Sequence, residues 1–393
     1  MKMRGTRNAF GLSWSVVLAL GGWAMASPPA IAKIILVPAE YPTIQAGIDA
    51  ANPGDEVVVA PGVYSGLGNK NLDLHKKDMV VRSEGGAAVT AIDCQGSGRG
   101  FMLFGDYPAS TRIEGFTIEN GNGNAEPVGG GGMVIGGGAP TIRGCIFRGN
   151  SATSINLGGG GGGLACHGSS ALIENCEFLQ NSVVPSNGAV GGGLAAHAGS
   201  PTVRNCRFFD NVQTGSGGGG GGLYGFFTPA PVVIIEDCEF DRNTGSEGSA
   251  AALFGAHVSN CRIEANESPS GAAIGISSSL MENCQIVDNT GHYFGGGVEL
   301  ILSTMTDCFV ARNSAVNGGG IIANLGSTVE RCVVVDNQAQ VGGGLYSSAL
   351  PASSILRCTF VRNSAQEGSG LAVSSPEAVV HRLDASIVAH GIG

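Results

Sequence analysis

The chain has 393 residues, of which 67 are glycine, and only 13% carry charge. A hydrophobic share of 43% and a formal net charge of −10 exclude a disordered chain, and the lack of a three-residue glycine period excludes collagen. Each interior glycine costs a helix about 1 kcal/mol relative to alanine, so the composition points to short strands and tight turns.

Residues 1–32 read as a secretory leader. Lys2, Arg4 and Arg7 form a basic start, an uncharged and mostly apolar stretch covers 10–25, and small residues allow cleavage after Ala26 or after Ala32. The competing reading of this stretch is a membrane anchor. The expected localisation is secreted, periplasmic or at the cell surface, with no membrane span once the leader is removed. Removing the three basic residues takes the formal charge from −10 to −13, and no basic patch interleaved with aromatics follows. Nucleic acid is therefore not an expected partner.

Residues 33–114 read as an N-terminal cap and the first coils. Within them, 42–51 suits a short helix with Pro42 in its first turn and Ile44 and Ile48 on one face. The helix would cover the open end of an apolar core, and 56–60 would begin the first coil.

From 115 to 393 the cysteines reveal a repeat. Nine of the eleven, at 145, 176, 206, 238, 261, 284, 308, 332 and 358, are spaced by 23 to 32 residues. Each is followed five positions later by asparagine, from Asn150 and Asn181 to Asn337 and Asn363. The residues three before and two after each cysteine are always apolar, as in Ile142 and Phe147 or Val329 and Val334. A small-residue run, usually three glycines, separates the repeats and leads to an apolar anchor such as Leu164, Leu194, Leu223, Val298, Ile321 or Leu345. Degenerate repeats extend the pattern, with Gly115 in the cysteine slot and Asn120 in the asparagine slot at one end. At the other end Ala385 and His390 fill those slots, and the chain stops in mid-repeat at Gly393, as a C-terminally truncated array would.

This period suits one coil of a parallel β-helix with three short strands per coil. Apolar residues at Cys−3, Cys and Cys+2 break strict alternation, so a bend between the first two lets all three point inward. Asn175, Asn205, Asn260 and Asn283 sit at that bend, where short polar side chains tolerate left-handed backbone. The Cys+5 asparagines then stack as an amide ladder. Parallel cysteine vectors one coil apart do not suit disulfides, so the thiols read as small apolar fillers, while Cys94 and Cys166 lie off the ladder. Asp288, Arg312, Asp336 and Arg362 at Cys+4 read as a salt-bridge ladder.

On these residues the sequence resembles the pectin lyase-like superfamily of right-handed parallel β-helices. The Ile-x-Asn-Cys-x-Phe core and the Gly-Gly-Gly-Leu run are similar to repeats of secreted β-helix proteins and polymorphic outer-membrane proteins, and 41–64 resembles the start of pectinesterases. The resemblance implies an all-β solenoid with a short N-terminal capping helix. It carries no catalytic residue over, because the catalytic motifs of pectinesterases, polygalacturonases and pectate lyases are absent.

Site candidates come from the outward positions of the strand after the glycines. The first outward row reads Val134, Ala165, Ala195, Tyr224, Phe254, Gly275, Glu299, Ile322, Tyr346 and Ala372. Two residues on come Gly136, His167, His197, Phe226, Ala256, Ser277, Ile301, Asn324, Ser348 and Ser374. His167 and His197 read as a surface pair, with a shared metal or a pH-sensitive pair as the alternatives; without a third ligand no metal is expected. Tyr224, Phe226, Phe254 and Tyr346 read either as lateral packing or as a sugar-stacking strip. The row holds a single carboxylate, Glu299, and no Arg or Lys, which is poor material for catalysis. Loops of 14, 13 and 12 residues after Asn150, Asn181 and Asn211 shorten to 8 or 9 from Asn266 on, and the long ones could wall a groove near the histidines.

The expectation is an exported, non-catalytic binding or structural module without cofactor, with polysaccharide or cell-surface components as partners. The alternative is a carbohydrate-active enzyme, a lyase or hydrolase acting on acidic polysaccharide.

Overall fold

The computed structural model describes residues 32–123, 129–154, 160–185, 190–215, 218–226, 232–348, 351–374, 382–384 and 386–389. The expected leader, apart from Ala32, lies outside the described residues, as do Ala385, His390 and parts of the long loops.

The described residues coil into three parallel sheets of 14, 13 and 13 strands, here A, B and C. A regular coil contributes one strand to each, and two short strands of the glycine runs, Val190–Gly191 and Gly219–Gly220, add to sheet C. Sheet A strands end just before the cysteine slot (Thr141–Arg143, Leu172–Glu174), sheet B strands follow it (Ile146–Arg148, Glu177–Leu179), and sheet C strands follow the glycine run (Leu164–His167, Leu194–His197). Register is kept from coil to coil, with Ile142 opposite Ile173 and Phe147 opposite Phe178. The inward triplet Ile142, Cys145 and Phe147 is fully buried, as expected. Asn175, Asn205, Asn260 and Asn283 have φ between 49° and 54°, so the bend falls where the sequence places it. A second bend at Cys+4 also has positive φ, including at Asp288, Arg312, Asp336 and Arg362.

Stacking like on like fills the core. Phe147, Phe178, Phe208 and Phe240 form a column with centroids 4.9, 4.6 and 4.7 Å apart. Beside it run the ladder asparagines, Asn150 bonding Asn181 and Asn181 bonding Asn211 at 3.0 Å. All eleven cysteines are free and buried. The thiols of the nine repeat cysteines meet main-chain carbonyls, as Cys176 does with Glu174 at 3.3 Å. The expected charge ladder consists of pairs between successive coils, Asp288 with Arg312 and Asp336 with Arg362, each at 2.6 Å.

Four expectations need correction. The helix spans Ile44–Ala50 and is capped by the Thr43 side chain, which accepts from the Ala46 N–H at 3.2 Å; Pro42 precedes the cap instead of opening the first turn. The first sheet A strand is Ile34–Val37, ahead of the helix, and it pairs with Glu56–Val59. Phe116, not Gly115, occupies the cysteine slot, because Thr117 lies opposite Ile146. Gly115 and Asn120, both at positive φ, are the two bends, and Gly121 takes the ladder position, donating its N–H to the Asn150 Oδ1 at 2.8 Å. At the far end Ser386 takes the cysteine slot, since Thr359 pairs with Ile387 and the Cys358 N–H donates to the Ser386 hydroxyl at 3.1 Å.

The long loops add a small sheet of their own, Ser151–Ser154, Ser182–Pro185 and Val212–Gln213. The glycine run passes between this sheet and sheet C with no room for a side chain. A Cβ on Gly162 would meet the Gly192 carbonyl oxygen at 2.2 Å and the Ser182 oxygen at 2.5 Å.

Candidate functional site

The folded-over glycine run changes the meaning of the first outward row of sheet C. Val134, Ala165 and Ala195 are fully buried and Tyr224 is 4% exposed, so this part of the row is covered and presents no surface. A Cβ on Gly161 would lie 1.8 Å from the Leu164 carbonyl oxygen, which shows how closely the cover sits.

Register moves one candidate. Ala251 lies opposite Leu223 and Phe254 opposite Phe226, so the anchor of this coil is Ala251 and Phe254 belongs to the second outward row. Ala252, not Phe254, stands beside Tyr224, and Ala256 leaves sheet C for sheet A. Ser249 and Ala250 replace two glycines of the usual run here, which hides the anchor.

The second outward row is the accessible one. His167 and His197 stack with centroids 5.8 Å apart and an interplanar angle of 15°, and His197 reaches Tyr224 at 5.2 Å. The buried Nε2 of His167 makes no hydrogen bond among the described residues, and burial lowers this imidazole below its ordinary pKa. Among the described residues no three His, Cys, Asp or Glu side chains are placed to hold a metal ion. Phe226, 40% exposed, meets the edge of Phe254 at 5.4 Å.

Beyond Phe254 the loops shorten and the face opens into a cavity of about 360 Å³. Glu247, Phe254, Ser270, Ser277, Phe294 and Glu299 are among its lining residues. Glu299 reaches it from sheet C, opposite Gly275, whose missing side chain leaves the space. Glu247 comes from the loop just before Gly248–Phe254, and Phe294 from the loop before Val298–Ile301. Burial raises the pKa of both carboxyl groups, and for Glu299 the charge of Glu247 adds to it. Burial and then the Glu247 charge also raise the Tyr224 phenol. Among the described residues neither Glu247 nor Glu299 has a hydrogen-bond or ion-pair partner in its carboxyl group, and no Arg, Lys or His lines the cavity.

The structure thus brings Phe254 and Glu299 to one cavity with Phe226 against Phe254 outside its lining, sets His167, His197 and Tyr224 on the coils before it, and leaves Tyr346 two coils beyond Glu299. Sequence reasoning missed Glu247 and Phe294. Neither occupies a repeating slot, and the one available signal was the step from Asn243 to Ala251, eight residues, equal to that from Asn266 to Ile274.

The family description "Right handed beta helix region" matches residues 69–246 and 226–381. No curated protein matches the sequence. Among solved structures, the mannuronan C-5 epimerase AlgE6 A-module of Azotobacter vinelandii is 14% identical, with a TM-score of 0.47 over 89% of this chain and 95% of that one. The catalytic unit of a thermostable GH87 α-1,3-glucanase from Streptomyces thermodiastaticus is 14% identical, with a TM-score of 0.44 over 92% of this chain and 70% of that one. The receptor-binding domain of the siphovirus 9NA tailspike is 10% identical, with a TM-score of 0.29 over 93% and 77%.

Proposed function

The chain belongs to the right-handed β-helix family, and from that premise we propose that it is an exported, non-catalytic module that binds saccharide in the sheet C cleft. The observation that carries this reading is the cavity of about 360 Å³, with Phe254 and Phe294 as apolar walls and Ser270, Ser277, Glu247 and Glu299 as polar groups. Small-molecule sites combine apolar walls with a few convergent polar groups in this way. A pyranose ring offers one C–H face to an aromatic wall and its hydroxyls to acceptors at the rim. The basic start and apolar stretch of residues 1–25 support export to a compartment where polysaccharide or cell-surface components are the partners.

A second reading is hydrolysis of a glycosidic bond, and the shared cleft of Glu247 and Glu299 favours it. Such chemistry uses two carboxyl groups, one kept protonated by its surroundings to act as the acid. Burial and the neighbouring charge would give Glu299 that role. Lyase action on an acidic polysaccharide finds less support, since no cationic side chain lines the cavity among the described residues to neutralise the substrate acid.

The test is a glycan-binding screen run beside an assay for reducing ends and unsaturated product. Binding without turnover is the expected outcome. Turnover that disappears in Glu299→Gln would establish the second reading in its place, and the absence of both binding and turnover would remove the saccharide reading.

A further inference from the structure

We propose that the sheet C cleft selects a saccharide carrying a free ammonium group, an amino sugar that is not N-acylated. This inference rests on the saccharide reading above and adds its chemical class. It stands on the geometry of the cavity and on the two unpaired carboxylates that line it.

Many carboxylates on the coils have arginine partners. Glu174 is held by both Arg143 and Arg204, Asp307 is held by Arg331 at 2.7 Å, and Asp288 by Arg312 at 2.6 Å. Glu247 and Glu299 depart from this pattern. Exposed Glu247 and half-buried Glu299 line the same concavity, and among the described residues no cation lines it. Two like charges facing one concavity without a counter-charge disfavour one another, and a ligand that supplies the counter-charge relieves that on binding. A neutral sugar cannot do so, and a uronate adds a like charge.

The number of acceptors also favours an ammonium. Such a group carries three N–H donors. Glu247 and Glu299 provide two anionic acceptors, and the hydroxyls of Ser270 and Ser277 line the same space. A calcium ion takes 6–8 oxygen ligands, and among the described residues no set of three acidic or histidine groups is placed to hold a metal. Phe254 and Phe294, the latter 49% exposed, present aromatic faces on which a cationic sugar gains a further cation–π attraction.

Calorimetric titration of the full chain with a β-1,4-linked glucosamine oligomer, its fully N-acetylated counterpart and a galacturonate oligomer tests the assignment near neutral pH. The glucosamine oligomer is expected to bind at least about tenfold more tightly than the N-acetylated one. That preference is expected to vanish in the isosteric double variant Glu247→Gln/Glu299→Gln and to persist in Glu177→Gln, a control on sheet B. Melting temperatures show that each variant is folded. Equal affinity for the first two oligomers, or tighter binding of the galacturonate, overturns the charge assignment and leaves the saccharide cleft standing. Failure of all three to bind overturns the assignment, and failure across the wider glycan screen as well removes the saccharide reading.

Discussion

Asn289 and Asn313 are joined by two hydrogen bonds to a single oxygen. The Asn289 backbone N–H and side-chain Nδ2 both donate to the Asn313 Oδ1, at 3.0 and 2.9 Å. Asn289 also donates to the Ile263 carbonyl at 3.0 Å and accepts two bonds from Asn266. The side chain is fully buried, so its removal deprives the Ile263 carbonyl and the two Asn266 donors of this partner, while the backbone bond to Asn313 remains. Asn289→Ala is therefore expected to cost about 3 kcal/mol or more, from several unsatisfied buried groups at about 1–3 kcal/mol each. Chemical denaturation of wild type and variant measures this directly. A midpoint unchanged from wild type would show that the ladder does not hold the coils together.

The exposed ion pair at Asp336 and Arg362 should behave in the opposite way. Its two side chains are 37% and 60% exposed, and such pairs are screened by solvent and salt. Arg362→Ala is expected to leave the denaturation midpoint within experimental error of wild type, at low and at high salt. A large, salt-sensitive loss would contradict this.

The thiols give a third prediction. All eleven cysteines are free, and burial pushes Cys94 and Cys166 up to about 12. A thiol that stays protonated at neutral pH is a poor nucleophile. Burial shields all eleven, so a thiol reagent should react very slowly with the native protein and titrate all the cysteines once the chain is unfolded without reductant. A deficit of two or more in the unfolded count would reveal a disulfide and break the stacked-thiol arrangement.

The cleft carries a stability signature of its own. The folded pKa of Glu299 lies above the ordinary carboxyl value because burial and Glu247 disfavour its charge. A raised carboxyl makes folding relatively more favourable at low pH, and that advantage is lost as pH rises through the folded pKa. Glu299→Gln removes the ionisation, so it should raise the melting temperature at neutral pH, with a gain that shrinks toward pH 4. Scanning calorimetry across that range checks the sign. A variant less stable than wild type at neutral pH would mean that the carboxylate is compensated in the fold.

The repeat was legible because stacking in register forces like residues into like slots. Cysteine, asparagine and the apolar triplet recur, and the inward residues and the bend at Asn175 follow from that spacing. The degenerate ends were misread by one position. Gly115 sits at a bend that glycine tolerates, and it resembled an empty cysteine slot until pairing placed Phe116 there. Phe254 was misassigned because Ser249 and Ala250 stand where other coils have glycine, so Leu253 looked like the anchor in place of Ala251. The cleft was the least legible part. Glu299 could be read from its strand, but Glu247 and Phe294 come from loops outside the repeat, and only the fold brings them beside it.

Under the saccharide reading, this cleft holds the ligand. Ser277 lines it from the accessible row of sheet C, where a larger side chain fills the cavity from outside the core. The most direct measurement is calorimetric titration of wild type and Ser277→Trp with a panel of neutral, amino and uronate oligosaccharides. The cleft assignment predicts that wild type binds at least one class and that Ser277→Trp, with an unchanged melting temperature, binds none. Binding by Ser277→Trp at wild-type affinity, or no binding by wild type, would contradict it.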